Sequence, residues 1–594
     1  MPATDSQPVT PYEGTRAACA LTAAIVTTLV AAAYLPAVGA GLGFVSDDFM
    51  ILQRVRELGG LRGASTYFAQ AYYEYFRPMG FLSFAADWSL WGDTAWASHG
   101  VSVLLHILNT LLVLLTARRL IGLRAAALAA ALFGLHAAHH EAVYWFSARF
   151  DLLATAGVLT AIVVLDRGRR WSFAGTAVLY LAALLSKESA ATLPLVAGAF
   201  VLWVGGGDTK RLVRLFVPLA AAAIVYGLLR QASGLPSTGG LSRLPKLIAL
   251  GALPALLIVL SLPSAARAVA RARRYGWELA GAALVVLAGA AWWSAVGLPG
   301  GSALRRLFAS AGFAAVHMGS PVAMEGWLSP LPPWLWLGGV ATFAAAIVVF
   351  RLAINHPTAM YLAWFTLATL IPVSSMTEGT RYLYLPFVPV AMALGWGARW
   401  AEARWRGPVR LLLAVGLATG SWQVYAKGHD WVWAARMTRD AASTIAAHAS
   451  PCRANDVVLA AAPARVRGVY GNLNYEALQW LQACTPRSMR TILRLGVQDA
   501  HIEAAWLAPG ALTLRVNDYR GGFVTSADLV SFSLAVSPTR PLRLTNALGP
   551  FSAVPAADGS AVVVTQHMPP ESARRVRWFV FSNGRLHSID AGTR

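Results

Sequence analysis

The chain has 594 residues, 57% of them hydrophobic and only 13% charged, with a mean hydropathy of +0.53. A water-soluble globule of that length needs far more charged surface, so the composition excludes a soluble enzyme and indicates a polytopic membrane protein. The net charge of +21 would suggest nucleic acid in a soluble protein, but in a membrane protein it is first set against the excess of Lys and Arg in cytoplasmic loops.

The first 16 residues are polar, and the apolar run that follows, 17–40, is long enough to span. It reads as an uncleaved signal-anchor, although Ala37-Val38-Gly39-Ala40 resembles a cleavage site. Directly after it stands Ser46-Asp47-Asp48-Phe49. Two adjacent acids at the mouth of a membrane helix are costly to desolvate, so they are either a solvated helix-end pair or a functional site.

Further apolar runs fall at 98–116, 124–138, 150–165, 173–187, 190–204, 212–230, 246–263, 279–297, 334–350, 359–374, 382–397 and 409–426, giving about 13 spans. With the N-terminus inside, alternate loops carry Arg118, Arg119 and Arg124, then Arg167, Arg169 and Arg170, then Lys210, Arg211 and Arg214. Arg267, Arg271, Arg273 and Arg274 follow, and finally Arg399, Arg404 and Arg406. These clusters share one face, as the positive-inside rule requires, so much of the charge is topological and nucleic acid drops out as a partner.

The opposite face receives a long first loop, 41–97, whose Tyr67, Phe68, Tyr72, Tyr73, Tyr75 and Phe76 suit the headgroup level. It also receives the segment 136–151 with His139, His140, Glu141, Arg149 and Asp151, the pair Lys187-Glu188, a loop at 298–333, and the segment 374–386 with Glu378, Arg381, Tyr382 and Tyr384. After residue 427 long apolar runs stop and strand-like segments begin, with an Asn583-Gly584 hairpin signal. The expected organisation is therefore a cytoplasmic tail at 1–16, a transmembrane domain at 17–426, and a soluble, mainly β domain at 427–594 placed outside by the odd span count. Cys452 and Cys484 both fall in that last domain, so a disulfide between them is one possibility.

The outer loops thus supply carboxylates (Asp47, Asp48, Glu74, Glu141, Asp151, Glu188, Glu378) and cations (Arg77, Arg149, Lys187, Arg381). Buried cations fit a permanent anionic partner such as a phosphate, and a carboxylate beside that phosphate fits a general base for a hydroxyl nucleophile. A lipid phosphate carrying a sugar meets both requirements. The bland readings stand beside this: Lys187-Glu188 as a neutralising pair, Arg149 and Asp151 paired elsewhere because two residues apart need not face each other, and His106 with Asn109 as an interhelical hydrogen-bond pair. His139-His140-Glu141 lacks the i, i+4 histidine spacing of a helical zinc site, so no metal ligand is assigned. No cofactor is required by these residues, with a divalent cation left open, and no phosphate-cradling Gly loop or nucleophile elbow is evident.

Taken together, these motifs resemble the polytopic GT-C glycosyltransferases that use polyprenyl-phosphate sugars, and more narrowly the membrane half of the TMTC-type O-mannosyltransferases and their bacterial relatives. The matching elements are Asp47-Asp48, Tyr75-Phe76-Arg77-Pro78, His106 to Asn109, His139 to Trp145 running into Arg149-Phe150-Asp151, Lys187-Glu188, and Arg381-Tyr382-Leu383-Tyr384-Leu385-Pro386. The resemblance covers residues 20–430. It implies Asp47 as catalytic base, with Asp48 orienting it, binding the sugar or keeping its neighbour's pKa usable. It implies Arg77, Arg149, Lys187 and Arg381 as donor-phosphate contacts, and Glu74, His139, His140, Glu141, Asp151, Glu188 and Tyr384 as sugar, acceptor or supporting residues. The implied reaction is inverting sugar transfer to a protein or glycan hydroxyl at the outer face of a bacterial inner membrane. A TPR tail is absent and the Tyr-Arg-Pro element reads Phe76-Arg77-Pro78, which leaves the acceptor open. The alternative function is a transporter or flippase for a lipid-linked glycan, although no related halves are visible.

Overall fold

The computed structural model describes, apart from short gaps, residues 15–235, 311–322 and 356–449 and the strand-forming stretches between 457 and 589. The expected spans at 246–263, 279–297 and 334–350, most of the loop at 298–333, Glu74, Glu378, Cys452, Cys484 and the Asn583-Gly584 turn lie outside the described residues.

Each expected apolar run among the described residues overlaps one of the α-helices found there, and four short helices lie between the runs. In chain order these are α1 (Arg16–Gly39), α2 (Asp48–Glu57), α3 (Ala64–Ala69), α4 (Pro78–Trp91), α5 (Ala95–Ile121), α6 (Leu123–Gly134), α7 (His140–Tyr144), α8 (Arg149–Asp166), α9 (Ser172–Leu184), α10 (Leu193–Ala199), α11 (Thr209–Ala232), α12 (Pro357–Leu370), α13 (Phe387–Arg404) and α14 (Arg406–Ala449). Among the described residues four helical segments, Arg16–Gly39, Ala95–Ile121, Phe146–Asp166 and Lys210–Ala232, are long and apolar enough to cross a membrane. Leu21, Ile25 and Leu29 on α1 and Leu104, Leu108 and Leu115 on α5 are exposed apolar side chains, as a lipid-facing surface requires.

Local chemistry sets the helix ends. The Thr15 hydroxyl accepts the Ala18 N–H at 3.2 Å and caps α1. A single residue, Gly122 at φ +79°, turns α5 into α6, a conformation that side chains with a Cβ resist. Helix α6 then buries Ala125, Ala126, Ala129 and Ala130, and its small face lets α13 come so close that a Cβ on Gly395 would lie 2.5 Å from the Ala125 carbonyl oxygen.

The bundle has two distinct ends. At one, Arg118 reaches Cys19 at 3.0 Å and Arg119 pairs with Asp166 at 3.3 Å, joining the start of α1 to the ends of α5 and α8. At the other, the connections 40–47, 135–148, 185–192 and 379–386 converge, as the pairs described below require.

Helix α14 runs past residue 427, where the apolar run ends. Arg436, Arg439 and Asp440 interrupt the hydrophobicity, yet Trp431, Ala434, Ala435, Thr438, Ala442 and Ile445 keep a buried face at helical spacing. Strands follow from Val457. One sheet has the order β12-β11-β1-β3-β6-β7, with β2 (Val469–Tyr470) on β1. Its strands are β1 (Val457–Val466), β3 (Leu493–Gln498), β6 (Phe523–Ala527), β7 (Val530–Leu534), β11 (Val576–Ser582) and β12 (Arg585–Ile589). It is mixed, since β1 runs parallel to both β11 and β3. The arms of the expected hairpin, β11 and β12, pair antiparallel with Ser582 opposite Arg585. A second, antiparallel sheet has the order β4 (Ile502–Ala508), β5 (Ala511–Asn517), β10 (Ala561–His567), β9 (Gly549–Pro555) and β8 (Leu542–Asn546).

Gly395→Ala forces α6 and α13 apart, because the new methyl meets main chain rather than a yielding side chain. A cost of about 1–3 kcal/mol and a lower melting temperature in detergent are expected. Gly397→Ala, whose Cβ meets nothing within 4 Å, is the control and should melt no lower than the parent.

Candidate active site

The acidic pair is split by its backbone. Ser46 sits at φ +50°, a left-handed conformation that costs a non-glycine residue on the order of 1–3 kcal/mol and persists only when its surroundings over-determine it. The turn leaves Asp47 exposed, with the Ser46 hydroxyl 3.3 Å from Oδ1, and carries Asp48 into the interior as the first residue of α2. Asp48 is fully buried. Its Oδ2 accepts the Val45 N–H at 2.9 Å, and its Oδ1 accepts both the N–H and the hydroxyl of Ser147, at 2.8 and 2.5 Å. Burial pushes the Asp48 carboxyl up to about 7, against the opposing pull of those donors.

Four cations pair with carboxylates on the neighbouring connections. Arg77, just before α4, places Nη2 and Nε at 2.7 and 3.0 Å from one oxygen of Glu188, while Arg230 at the end of α11 stands 3.4 Å from the other. Lys187 contacts both oxygens of Asp151, at 2.6 and 2.5 Å. Arg381 meets Glu141 at 2.5 Å, and the same carboxylate accepts the Arg381 main-chain N–H and the Thr380 hydroxyl, each at 3.1 Å.

Tyr382 links two of the cations. Its ring centre is 4.8 Å from Lys187 Nζ and 4.4 Å from the Arg381 guanidinium, which also donates to its hydroxyl at 3.0 Å. Arg77 lies 4.4 Å over the ring of Tyr75, and the Tyr75 hydroxyl feels the charges of Arg77, Asp47 and Arg381 together. Lys187 in turn feels Asp151, Arg77 and Arg381. An exposed carboxylate, the partly accessible cations Arg77 and Arg381 and the buried Lys187 therefore share one neighbourhood, next to a crevice bounded by Asp151, Ser189, Thr369, Val373, Tyr382 and Pro386.

Several expected site residues stand elsewhere. Arg149 is a correction: its guanidinium is 0% exposed and is consumed by Asp87 at 2.6 Å, the Ser98 carbonyl at 2.5 Å, Ser102 at 3.2 Å and Ser83 at 3.3 Å, so it holds α4, α5 and α8 together. Tyr384 is another. Its hydroxyl is buried between His106 Nδ1 (2.7 Å) and Asn109 Nδ2 (3.3 Å), which makes the His106/Asn109 pair an interhelical clasp. His139 points inward, with Nδ1 2.8 Å from the Phe133 carbonyl, and His140 accepts from Trp431 Nε1 at 3.0 Å, so both brace helices. Arg149 and Asp151 do reach different partners. Among the described residues no group of three His, Cys, Asp or Glu converges as a metal site.

The sequence reading missed Asp87, Ser147, Arg230 and the bridging place of Tyr382. Asp87 had a visible signal, since a lone acid in the apolar stretch Phe81–Trp91 needs a buried cation. Ser147 had none.

No protein-family model matches the chain. A stretch of 127 residues, 20% of this chain, is 42% identical to the Drosophila melanogaster protein O-mannosyl-transferase Tmtc1, and 160 residues are 36% identical to Tmtc2 of the same fly. The chain spans only 15% and 17% of the lengths of those curated relatives. Among solved structures it is similar to the Archaeoglobus fulgidus oligosaccharyltransferase crystallised with Zn and sulfate, at 12% identity and a TM-score of 0.46 over 79% of this chain and 62% of that one. It is also similar to ArnT from Cupriavidus metallidurans bound to undecaprenyl phosphate, at 15% identity and a TM-score of 0.32 over 83% and 97% of the two chains. A similarity of that size says nothing about this chain's activity.

Arg149→Ala leaves the Asp87 carboxylate buried without its cation, a loss of about 3–5 kcal/mol. The variant should fail to give a monodisperse folded peak on gel filtration, whereas Arg149→Met with Asp87→Leu should recover it. The raised Asp48 group carries a sign of its own. Folded protein holds that proton more tightly than unfolded chain does, so its contribution to stability is complete below about pH 4 and is lost as pH rises through about 7. The melting temperature should fall across that window, and Asp48→Asn should flatten the fall.

Proposed function

We propose that this chain is a membrane glycosyltransferase that moves a sugar from a polyprenyl-phosphate donor to an acceptor hydroxyl, with inversion at the anomeric carbon and Asp47 as general base. One arrangement carries the reading: Arg77 stacks on Tyr75 at 4.4 Å, Arg381 and Lys187 share the ring of Tyr382 at 4.4 and 4.8 Å, and the exposed Asp47 stands within electrostatic reach of the Tyr75 hydroxyl. A base and a phosphate cradle are the two parts this transfer needs. The local identity to two protein O-mannosyl-transferases supports it and makes mannose the first sugar to try.

In the reaction, the acceptor oxygen attacks the anomeric carbon while Asp47 takes its proton. The bond from that carbon to the phosphate oxygen breaks on the opposite face, and polyprenyl phosphate leaves with the electron pair. Arg77, Lys187 and Arg381 stabilise the charge that develops on it, so no separate acid is needed. Glu188, Asp151 and Glu141 hold those cations in place before the donor arrives, because a cation withdrawn from water needs an anion beside it. Asp48 supports the turn from below and takes no proton from the acceptor. The proposed setting is a bacterial inner membrane crossed about 13 times, N-terminus inside, with the loop-rich end and the β-rich domain that follows α14 facing outward and the acceptor a protein or a glycan.

The test uses the full chain in nanodiscs with radiolabelled polyprenyl-phosphate mannose and an envelope fraction as acceptor. Asp47→Asn should reduce transfer at least about 100-fold while donor binding persists. Undiminished transfer by folded Asp47→Asn would refute the base, and donor movement across the bilayer independent of Asp47 would instead indicate a transporter.

A further inference from the structure

We infer that Ser147 is a positioning residue: it grips Asp48 from a neighbouring loop and so sets the direction in which Asp47 points. The inference rests on Asp47 being the base. The two acids are adjacent in the chain, yet one is exposed and the other fully buried, so whatever fixes Asp48 also fixes the peptide from which Asp47 projects.

Three donors fix it. Val45, three residues before, contributes only a local N–H at 2.9 Å. Ser147 is 99 residues away and contributes two donors to the same oxygen, its N–H at 2.8 Å and its hydroxyl at 2.5 Å. The hydroxyl is the only part of this grip that depends on residue type.

Two further observations indicate that the grip works against a restoring force and from a rigid mount. Ser46, between Val45 and Asp47, is held at φ +50°, a strained geometry that relaxes unless the residues on both sides are pinned. Ser147 lies in the 3-10 turn Phe146–Ala148, next to Arg149, whose guanidinium is locked by Asp87, Ser83, Ser98 and Ser102. Phe146 packs against Phe44 and Phe84 at centroid distances of 5.1 and 4.4 Å. The mount is therefore fixed on both sides of Ser147. Asp151, two residues beyond Arg149, holds Lys187. A single short segment thus carries the grip on Asp48, the neighbour of the base, at one end and the partner of a phosphate cation at the other, which couples the aim of Asp47 to the place of the donor.

Loss of the hydroxyl should let the Ser46 turn relax and move the Asp47 carboxylate. A displacement of about 1 Å costs on the order of 10- to 100-fold in turnover without weakening donor binding. The experiment measures kcat and KM for polyprenyl-phosphate mannose with the full chain in nanodiscs, each normalised to titrated donor-binding sites. Ser147→Ala is expected to lower kcat by that factor at unchanged KM. Ser147→Cys, which keeps the volume but donates weakly, should behave like Ala, and Ser147→Thr, which keeps the hydroxyl, should recover most of the rate. Asp47→Asn with Ser147→Ala should be no slower than Asp47→Asn alone, because positioning acts only through the base.

Unchanged kcat in folded Ser147→Ala and Ser147→Cys, with Asp47→Asn inactive, would overturn the inference and leave the base standing. A loss that disappears on normalising to binding sites would make Ser147 merely structural and also overturn it. Full turnover by Asp47→Asn would remove the base, and the inference with it.

Discussion

A charge taken out of water must bring an opposite charge with it, and the loop-rich end of this protein is built on that constraint. Arg77 finds Glu188, Arg149 finds Asp87, Lys187 finds Asp151 and Arg381 finds Glu141. The last pair lies 240 residues apart in the chain. Each pair joins two segments that are separate in the chain. The ions that look like a substrate site in the sequence are thus also the ties that hold the site's walls together.

Exposure sorts these pairs by role. The Arg149 guanidinium is sealed and four of its five N–H donors are engaged by α4 and α5, so it serves as a structural tie. Arg77 and Arg381 retain 14% and 16% exposure and present aromatic-backed guanidinium faces to the same neighbourhood as Asp47. Under the proposed function, a phosphate arriving there meets donors already oriented by carboxylates, so little reorganisation is left for the moment of reaction. The same sorting divides the acidic pair: Asp48 is used internally and Asp47 faces outward.

Much of this was legible in the sequence. Apolar runs located the helices because a membrane span needs length and hydrophobicity, both of which are local properties. The acids and cations were legible as a set because ionisable residues beside apolar runs are expensive and few. Their pairing was not, since nothing in one dimension tells Arg149 to choose Asp87 over its near neighbour Asp151. Tyr384 shows the same limit: it sits in a motif with Arg381 and Tyr382, but the turn sends its side chain inward to His106. The extent of α14 was hidden by three charges on its exposed side, and the parallel pairing of β1 with β11 and β3 is a matter of strand order that alternation cannot encode. Ser147 escaped notice because a serine in a loop is ordinary until its partner is known.

The central claim is that the loop-rich end binds a lipid-linked phosphate within reach of Asp47. A cryo-EM structure of the full chain in nanodiscs with added polyprenyl phosphate tests it most directly. The account predicts phosphate density bounded by Arg77, Lys187 and Arg381, with the Asp47 carboxylate opening onto the same space. Phosphate density at the opposite end of the bundle, near Arg118 and Arg119, with none among those three cations would contradict it.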